Sequence, residues 1–382
     1  MSKWILMPDS FKGTMSSLEV CEAMRRALLR HVPDAEVISI PVADGGEGSV
    51  EAFLTAMGGR RVEVPCTGPD LQPVTGFYGL LPDGRTAVVE MAAAAGLPLM
   101  EGRLCAEGAT TYGVGELILA AIQNGARRII LGLGGSATND GGCGCAAALG
   151  VRFLDSSGTA YVPVGGTLDH LDRIDLSCRS PLLEGVELVA MCDVDNPLCG
   201  PHGASAVFGP QKGADDAAVA RLDRNLHHLA AVIRRDIGQD ILELPGAGAA
   251  GGMGGGAVAF LGCRLQMGIE TVLDTIGFDT LLPGTTAILT GEGRIDGQSL
   301  RGKVVIGIAR RARAAGVPVI AVVGDVAPGA KAAYQEGVTA IVSTNRRAVP
   351  WEIARQTARE DLAAALEDLF RLYDAFHPGR DI

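Results

Sequence analysis

The chain has no CxxC pair, no run of eighteen uncharged apolar residues and no internal repeat of fixed period. Its nine cysteines (Cys21, Cys66, Cys105, Cys143, Cys145, Cys178, Cys192, Cys199 and Cys263) are odd in number and scattered. That pattern speaks against a disulfide scaffold or a zinc site and suits reduced thiols in a cytoplasmic protein. The first apolar run, Trp4–Met7, stops at Pro8, too short for the core of a secretory signal or for a spanning helix. A soluble chain is expected. Positive charge is scarce too. Lys+Arg 33 against Asp+Glu 44 leaves −11 at pH 7, a poor match for a polyanion such as duplex DNA. Neither nucleic acid nor a membrane is expected as a partner, whereas a small anionic substrate is still compatible. There is no GxxxxGK[ST], no GxSxG and no HExxH. One GxGxxG occurs at Gly246, Gly248 and Gly251, but Pro245–Gly256 is rich in glycine throughout and no strong strand precedes it. Close backbone approach explains it better than a dinucleotide fingerprint does.

What is present is an alternation of strand-like and helix-like segments. Hydrophobic residues make up 47% and charged residues 20% of 382, which excludes disorder and predicts two domains or one large one. Short Val/Ile-rich runs mark strands at Trp4–Met7, Val37–Ile40, Ile129–Leu133, Leu188–Cys192, Ala287–Thr290, Val319–Val323 and Ala340–Ser343. Between them, Ser16 and Glu19 have capping-box spacing ahead of an apolar face of Leu18, Cys21, Met24 and Leu28. Leu222, Leu226, Leu229, Ile233 and Ile237 repeat the helical period, with His227 and His228 as surface or packing residues. Alternating elements of this kind predict an α/β fold with a mainly parallel sheet. From about Arg60 to Arg103 the pattern changes to short β-like runs (Val62–Val64, Gly76–Leu80, Ala87–Val89) separated by Pro and Gly, as at the start of an inserted domain.

Six strand ends carry glycine or turn residues together with carboxylates: Pro8–Gly13, Ala43–Gly48, Gly134–Gly142, Asp193–Pro197, Gly291–Gly297 and Gly324–Asp325. Any one of them is explained by turns and helix caps. Six on one edge point further, because ligands of open α/β sheets bind outside the carboxyl ends of the strands. Carboxylates suit Mg²⁺ and helix-terminal amides suit phosphate oxygens, so a phosphate-handling site is expected. Only five lysines occur (Lys3, Lys12, Lys212, Lys303 and Lys331), three of them beside glycine; the other 28 basic residues are arginine. Lysine at those places supplies a compact ammonium.

Taken together, Pro8-Asp9-Ser10-Phe11-Lys12-Gly13, Ala43–Gly48 (ADGGEG), Gly134–Gly142 (GGSATNDGG), Asp193–Gly200, Phe208–Ala214 (FGPQKGA) and Thr290–Asp296 (TGEGRID) resemble the glycerate kinase type-1 family. The similarity runs from about Lys3 to about Val342, with Ile295 and Ser299 as conservative departures. The resemblance implies an ATP-dependent, Mg²⁺-using kinase of D-glycerate. It also implies a Rossmann- or flavodoxin-like domain from both chain ends (1–62 and 285–382), an inserted restriction-endonuclease-like α/β domain (63–284), and an active site in the cleft. The product expected is 2-phospho-D-glycerate. The alternatives are 3-phosphoglycerate, a related small hydroxy-acid kinase, a nicotinamide-dependent oxidoreductase and a non-catalytic metabolite sensor. For phosphoryl transfer, Lys12, Asp44 and Asp193 are assigned to charge neutralisation and base catalysis. Asp9, Ser10, Lys212 and Arg294 are assigned to substrate, and Gly134, Gly135, Ser136, Thr138 and Asn139 to nucleotide phosphate. Asp193, Glu292 and Asp296 are assigned to metal. A monomer or homodimer is expected.

Overall fold

The computed structural model describes residues 2–42, 45–297 and 299–377. Contacts divide the chain into two compact units, Met1–Asp44 with Gly268–Ile382, and Gly45–Met267. The family resemblance places the breaks at 62/63 and 284/285. The first strand after Asp44 is Arg60–Thr67, and it pairs inside the second unit, so the helix that leads to it, Ser49–Met57, travels with that sheet.

The first unit is built on a five-stranded sheet ordered Ala340–Ser343, Val319–Val326, Thr285–Ile295, Lys3–Pro8, Glu36–Ser39. Every pairing is parallel, so strands from both chain ends share one sheet. Both faces are covered, which is why the strands read as unbroken apolar runs. On one face Trp4, Leu6, Ala287, Leu289 and Val322 pack with Val20, Met24 and Leu28 of helix Ser17–His31 and with Leu362, Leu366 and Phe370 of helix Ala358–Phe376. Alternate residues Ile5, Met7, Ile288, Ala321 and Val323 are fully buried on the other, where helix Val304–Ala314 lies against the central strands. The predicted capping box is present, with Ser16 and Glu19 bonding reciprocally. Leu18 departs from the expected stripe and is 53% exposed; Val20 and Ala27 complete the buried face instead.

The second unit holds a six-stranded mixed sheet, Arg264–Gln266, Glu187–Met191, Arg128–Gly132, Thr86–Glu90, Pro73–Leu80, Arg60–Thr67. The first four strands are parallel and the last two antiparallel, so the β-rich stretch after Arg60 forms the edge of this sheet. A three-stranded antiparallel sheet, with Arg152–Asp155 in the centre between Ala160–Tyr161 and Leu171–Asp175, had no expectation from periodicity. Helix Asp216–Ile237 buries Leu222, Leu226, Leu229 and Ile233, with His227 exposed and His228 bonding the Leu171 carbonyl at 2.7 Å. The glycine run forms the kinked helix Ala249–Leu261. A Cβ on Gly251 would lie 1.9 Å from the Thr138 carbonyl oxygen, and one on Gly256 2.1 Å from that of Gly141. Close packing against the Gly134–Gly142 loop is what these glycines permit.

Candidate active site

In the first unit the chain leaves Lys3–Pro8 toward one edge of the sheet and returns at Thr285–Ile295 to build toward the other. The crevice between the carboxyl ends of these two neighbours is the switch point where open α/β sheets take ligands. Asp9, Ser10 and Lys12 follow the first strand; Glu292, Arg294 and Asp296 belong to the end of the second. The expected loop Gly291–Gly297 is strand as far as Ile295. Glycine makes that extension possible: a Cβ on Gly291 would sit 2.2 Å from the Val322 carbonyl oxygen, and Gly293 passes beside the Phe11–Lys12 backbone. The extension carries Glu292 into the interior, where it is 7% exposed and its Oε1 has no hydrogen-bond partner. Burial pushes its carboxyl up to about 7, and Asp9 and Asp296 push the same way, while the Ser299 hydroxyl and Lys303 oppose them. Asp9 and Ser10 are half-buried, the Ser10 N–H donating to the Asp9 carboxylate at 2.6 Å, and Lys12 is exposed. Arg294 is exposed and pairs with Asp325 at 3.5 Å on the adjacent strand.

The carboxyl ends of the second unit's parallel strands gather a second polar group. Gly132 and Gly134 pack so closely on Gly45 and Gly46 that a Cβ on Gly134 would lie 2.5 Å from the Gly46 Cα. Asp193, half-buried, leaves the end of Glu187–Met191. Within the Gly134–Gly142 loop, Gly135 is exposed, whereas the side chains of Ser136, Thr138 and Asn139 are buried. Lys212 is 2% exposed and donates to Ser136 Oγ at 2.9 Å and to the Thr138 carbonyl at 2.7 Å. Burial holds its ammonium down to about 7 against the opposing pull of Asp140. Asp44 lies outside the described residues. The structure therefore brings Asp9, Glu292 and Asp296 together in one unit, and Ser136, Thr138 and Lys212 together in the other.

Sequence reasoning passed over Glu90, and it gave no role to Asp140 of the Gly134–Gly142 loop or to Lys303, noted only as a lysine beside glycine. Glu90, buried at the end of Thr86–Glu90, accepts from the Gly48 N–H at 3.3 Å and from Val50 N–H, closing the N-terminus of helix Ser49–Met57; burial raises its carboxyl. It is a carboxylate directly after an apolar run, the signal used elsewhere. Asp140, fully buried, accepts from Thr111 N and Oγ1 and from the Gly142 and Gly144 amides at 2.8–3.1 Å. Lys303, beside Gly302, precedes helix Val304–Ala314 and lies close enough to Glu292 to favour its charged form. Among the described residues no three His, Cys, Asp or Glu side chains form a metal-holding group, and no helix is long and apolar enough to cross a membrane. The unpartnered Glu292 oxygen, with two carboxylates nearby, nonetheless suits Mg²⁺, which takes one or two carboxylates and completes its shell with phosphate oxygens and water.

A parallel sheet with acidic groups at its switch point is the ligand-binding frame of an α/β enzyme. The glycerate kinase family profile matches residues 4–374, and the chain belongs to that family. It is 45% identical over 368 residues to a glycerate kinase of Bacillus subtilis, covering 96% of each chain. It is 44% identical over 342 residues to glycerate 2-kinase of Escherichia coli, covering 89% of this chain and 90% of that one. A crystal structure from Salmonella typhimurium LT2, provisionally named glycerate kinase 2, superimposes with a TM-score of 0.86 at 41% identity, covering 98% and 99% of the two chains. These matches fit the α/β class and the family expected from the sequence.

Proposed function

We propose that this chain is an ATP-dependent kinase that phosphorylates D-glycerate to 2-phospho-D-glycerate. The observation that carries the reading is the buried Glu292 beside Asp9, Asp296 and Lys303 at the switch point of a chain in the glycerate kinase family. A hydroxyl of glycerate attacks the γ-phosphorus of ATP, the bond to the bridging oxygen breaks, and the hydroxyl proton passes to a carboxylate. Positioning and charge neutralisation supply most of the rate in such a transfer. Lys12, exposed on the loop after the first strand, neutralises phosphate charge, and Asp193 or Asp44 takes the proton. Asp9 and Ser10 orient the substrate hydroxyls, and Arg294 exchanges Asp325 for the substrate carboxylate. Gly135, exposed on the loop, offers its backbone to the nucleotide phosphates, while Gly134, whose N–H donates to the Gly45 carbonyl at 2.9 Å, sets the course of the chain beside it. Ser136, Thr138 and Asn139 hold that loop from inside, where their side chains are buried.

Mg²⁺, when bound, would neutralise phosphate charge, and Glu292 and Asp296 of the first unit would hold it. The Escherichia coli relative's name, glycerate 2-kinase, supports attack by the 2-hydroxyl; 3-phosphoglycerate is the other outcome the test must separate. Nine unpaired cysteines suit a chain that works in the cytoplasm, as a monomer or homodimer. ADP release coupled to D-glycerate, followed by phosphorus NMR of the product, tests the reading. No D-glycerate-dependent ADP release would overturn it, and a 3-phosphate signal would overturn the regiochemistry.

A further inference from the structure

We propose that Lys212 is a positioning residue, whose ammonium holds the Gly134–Asp140 loop in its ligand-ready shape without touching substrate or nucleotide. Backbone bonds from Ala137 N–H to the Ala95 carbonyl at 2.8 Å and from Gly141 N–H to the Gly251 carbonyl at 3.0 Å hold the loop, and side chains of the segment 205–212 grip it from inside. Lys212 Nζ donates to Ser136 Oγ at 2.9 Å and to the Thr138 carbonyl at 2.7 Å, while Asn139 Nδ2 donates to Ser205 Oγ at 3.1 Å. Further along, Asp140 is fixed by Thr111 and by the Gly142 and Gly144 amides. The backbone that aims Lys212 inward is itself constrained. The turn Pro210–Lys212 ends at Gly213, φ +89°, where a Cβ would press within 2.9 Å of Leu104. Gly135 is the exposed residue of the loop; its carbonyl accepts from the Leu97 N–H at 2.9 Å, and the Gly134 N–H before it donates to the Gly45 carbonyl at 2.9 Å.

An ammonium so deeply buried is a poor choice for packing alone. Removing its charge from water is costly, and Lys212→Met would leave the Thr138 carbonyl and the Ser136 hydroxyl without their donor, so a lower melting point is expected of either role. A purely structural role predicts that a folded Lys212→Met keeps its activity. A positioning role predicts a folded protein with a loosened loop. Displacing a reacting group by about 1 Å is enough to cost on the order of 10²-fold in rate. Asp140 is the charged side chain that faces Lys212 and sustains its charge.

This inference rests on the kinase reading for its kinetic arm only. Amide hydrogen exchange of residues 134–142 in the ligand-free protein forms an arm that needs no activity. Lys212→Met should exchange there at least about tenfold faster with the rest of the second unit unchanged, in the manner of a local opening. It should also lose about 10²-fold in kcat at saturating ATP. Ser136→Ala removes one acceptor and should give a smaller change of the same sign, which keeps the test alive if Lys212→Met does not fold. Unchanged loop exchange in Ser136→Ala or in a folded Lys212→Met would overturn the inference, as would full activity in Lys212→Met. A wild type without kinase activity would remove the proposed function and leave the exchange arm to decide this one.

Discussion

Replacing Glu292 by Gln should stabilise the ligand-free protein while disabling it. The carboxyl is 7% exposed and is held up to about 7, against an ordinary carboxyl value of 4.5, first by burial and then by Asp9 and Asp296. A group whose folded-state pKa is raised binds its proton more tightly in the folded chain than in the unfolded one. Folding stability is therefore undiminished below the ordinary value, falls as pH rises between 4.5 and about 7, and stays reduced above that. Each tenfold in proton affinity is about 1.4 kcal/mol, so the charged carboxylate costs the folded chain up to about 3 kcal/mol, and about 1–3 allowing for relaxation of the site. Glutamine keeps the shape and removes the charge. In chelator-treated protein, melting of the first unit should shift little at pH 5 and rise at pH 8 by roughly 3–10 °C. Turnover should fall by about 10²-fold or more, as when a charged group is lost from a phosphoryl-transfer site. Thermal melts of both proteins across pH 5–8.5, beside turnover at saturating substrates, measure both effects. Wild-type and Gln curves that stay parallel across that range would refute the electrostatic argument, and full turnover would remove Glu292 from the site.

Three further outcomes follow from named contacts. Lys12→Ala should cut turnover about 10²-fold with melting unchanged, since an exposed loop lysine adds charge rather than packing; near-wild-type turnover would take Lys12 out of the site. Gly251→Ala should destabilise the second unit by about 3 kcal/mol or more in denaturant titrations, because the new Cβ falls 1.9 Å from the Thr138 oxygen at a φ of +70°. A folded variant of wild-type stability would show that this packing gives way freely. His31 lies between Asp374 at 2.6 Å and Glu367 at 3.2 Å, and these two raise its pKa even though burial pulls the other way. Its stabilisation of helix Ala358–Phe376 is present below the ordinary histidine value and is lost as pH rises through the raised one. His31→Gln should flatten that pH dependence in melts, and an unchanged dependence would assign it to other groups.

The strands were legible because burial on both faces leaves Val/Ile runs such as Val319–Val323 that no helix pattern imitates. The three-stranded antiparallel sheet was not legible, because Arg152–Asp155 and Leu171–Asp175 are short and mix charge with apolar residues. The glycine run at Gly246–Gly256 was read correctly as close backbone approach, but its partner, the Thr138–Gly142 loop, lies more than a hundred residues earlier and periodicity carries no information about it.

The sequence pointed to the strand ends as a candidate site but could not divide its residues by role. An acidic side chain after a strand looks the same in sequence whether it caps a helix, as Glu90 does, anchors a loop, as Asp140 does, or faces a ligand. What separates these roles is whether the buried oxygens are satisfied. Glu90 and Asp140 accept backbone amides, and both are explained by folding. Glu292 keeps a buried oxygen without a partner, in a neighbourhood that already disfavours its charge. A fold gains nothing from that arrangement, since an unsatisfied buried carboxyl costs stability. It becomes favourable only when a cation or a proton donor arrives. The same accounting sets Lys212 apart from Lys12. Lys212 is buried with its hydrogen-bond partners inside the protein, whereas Lys12 is exposed on the loop after the first strand.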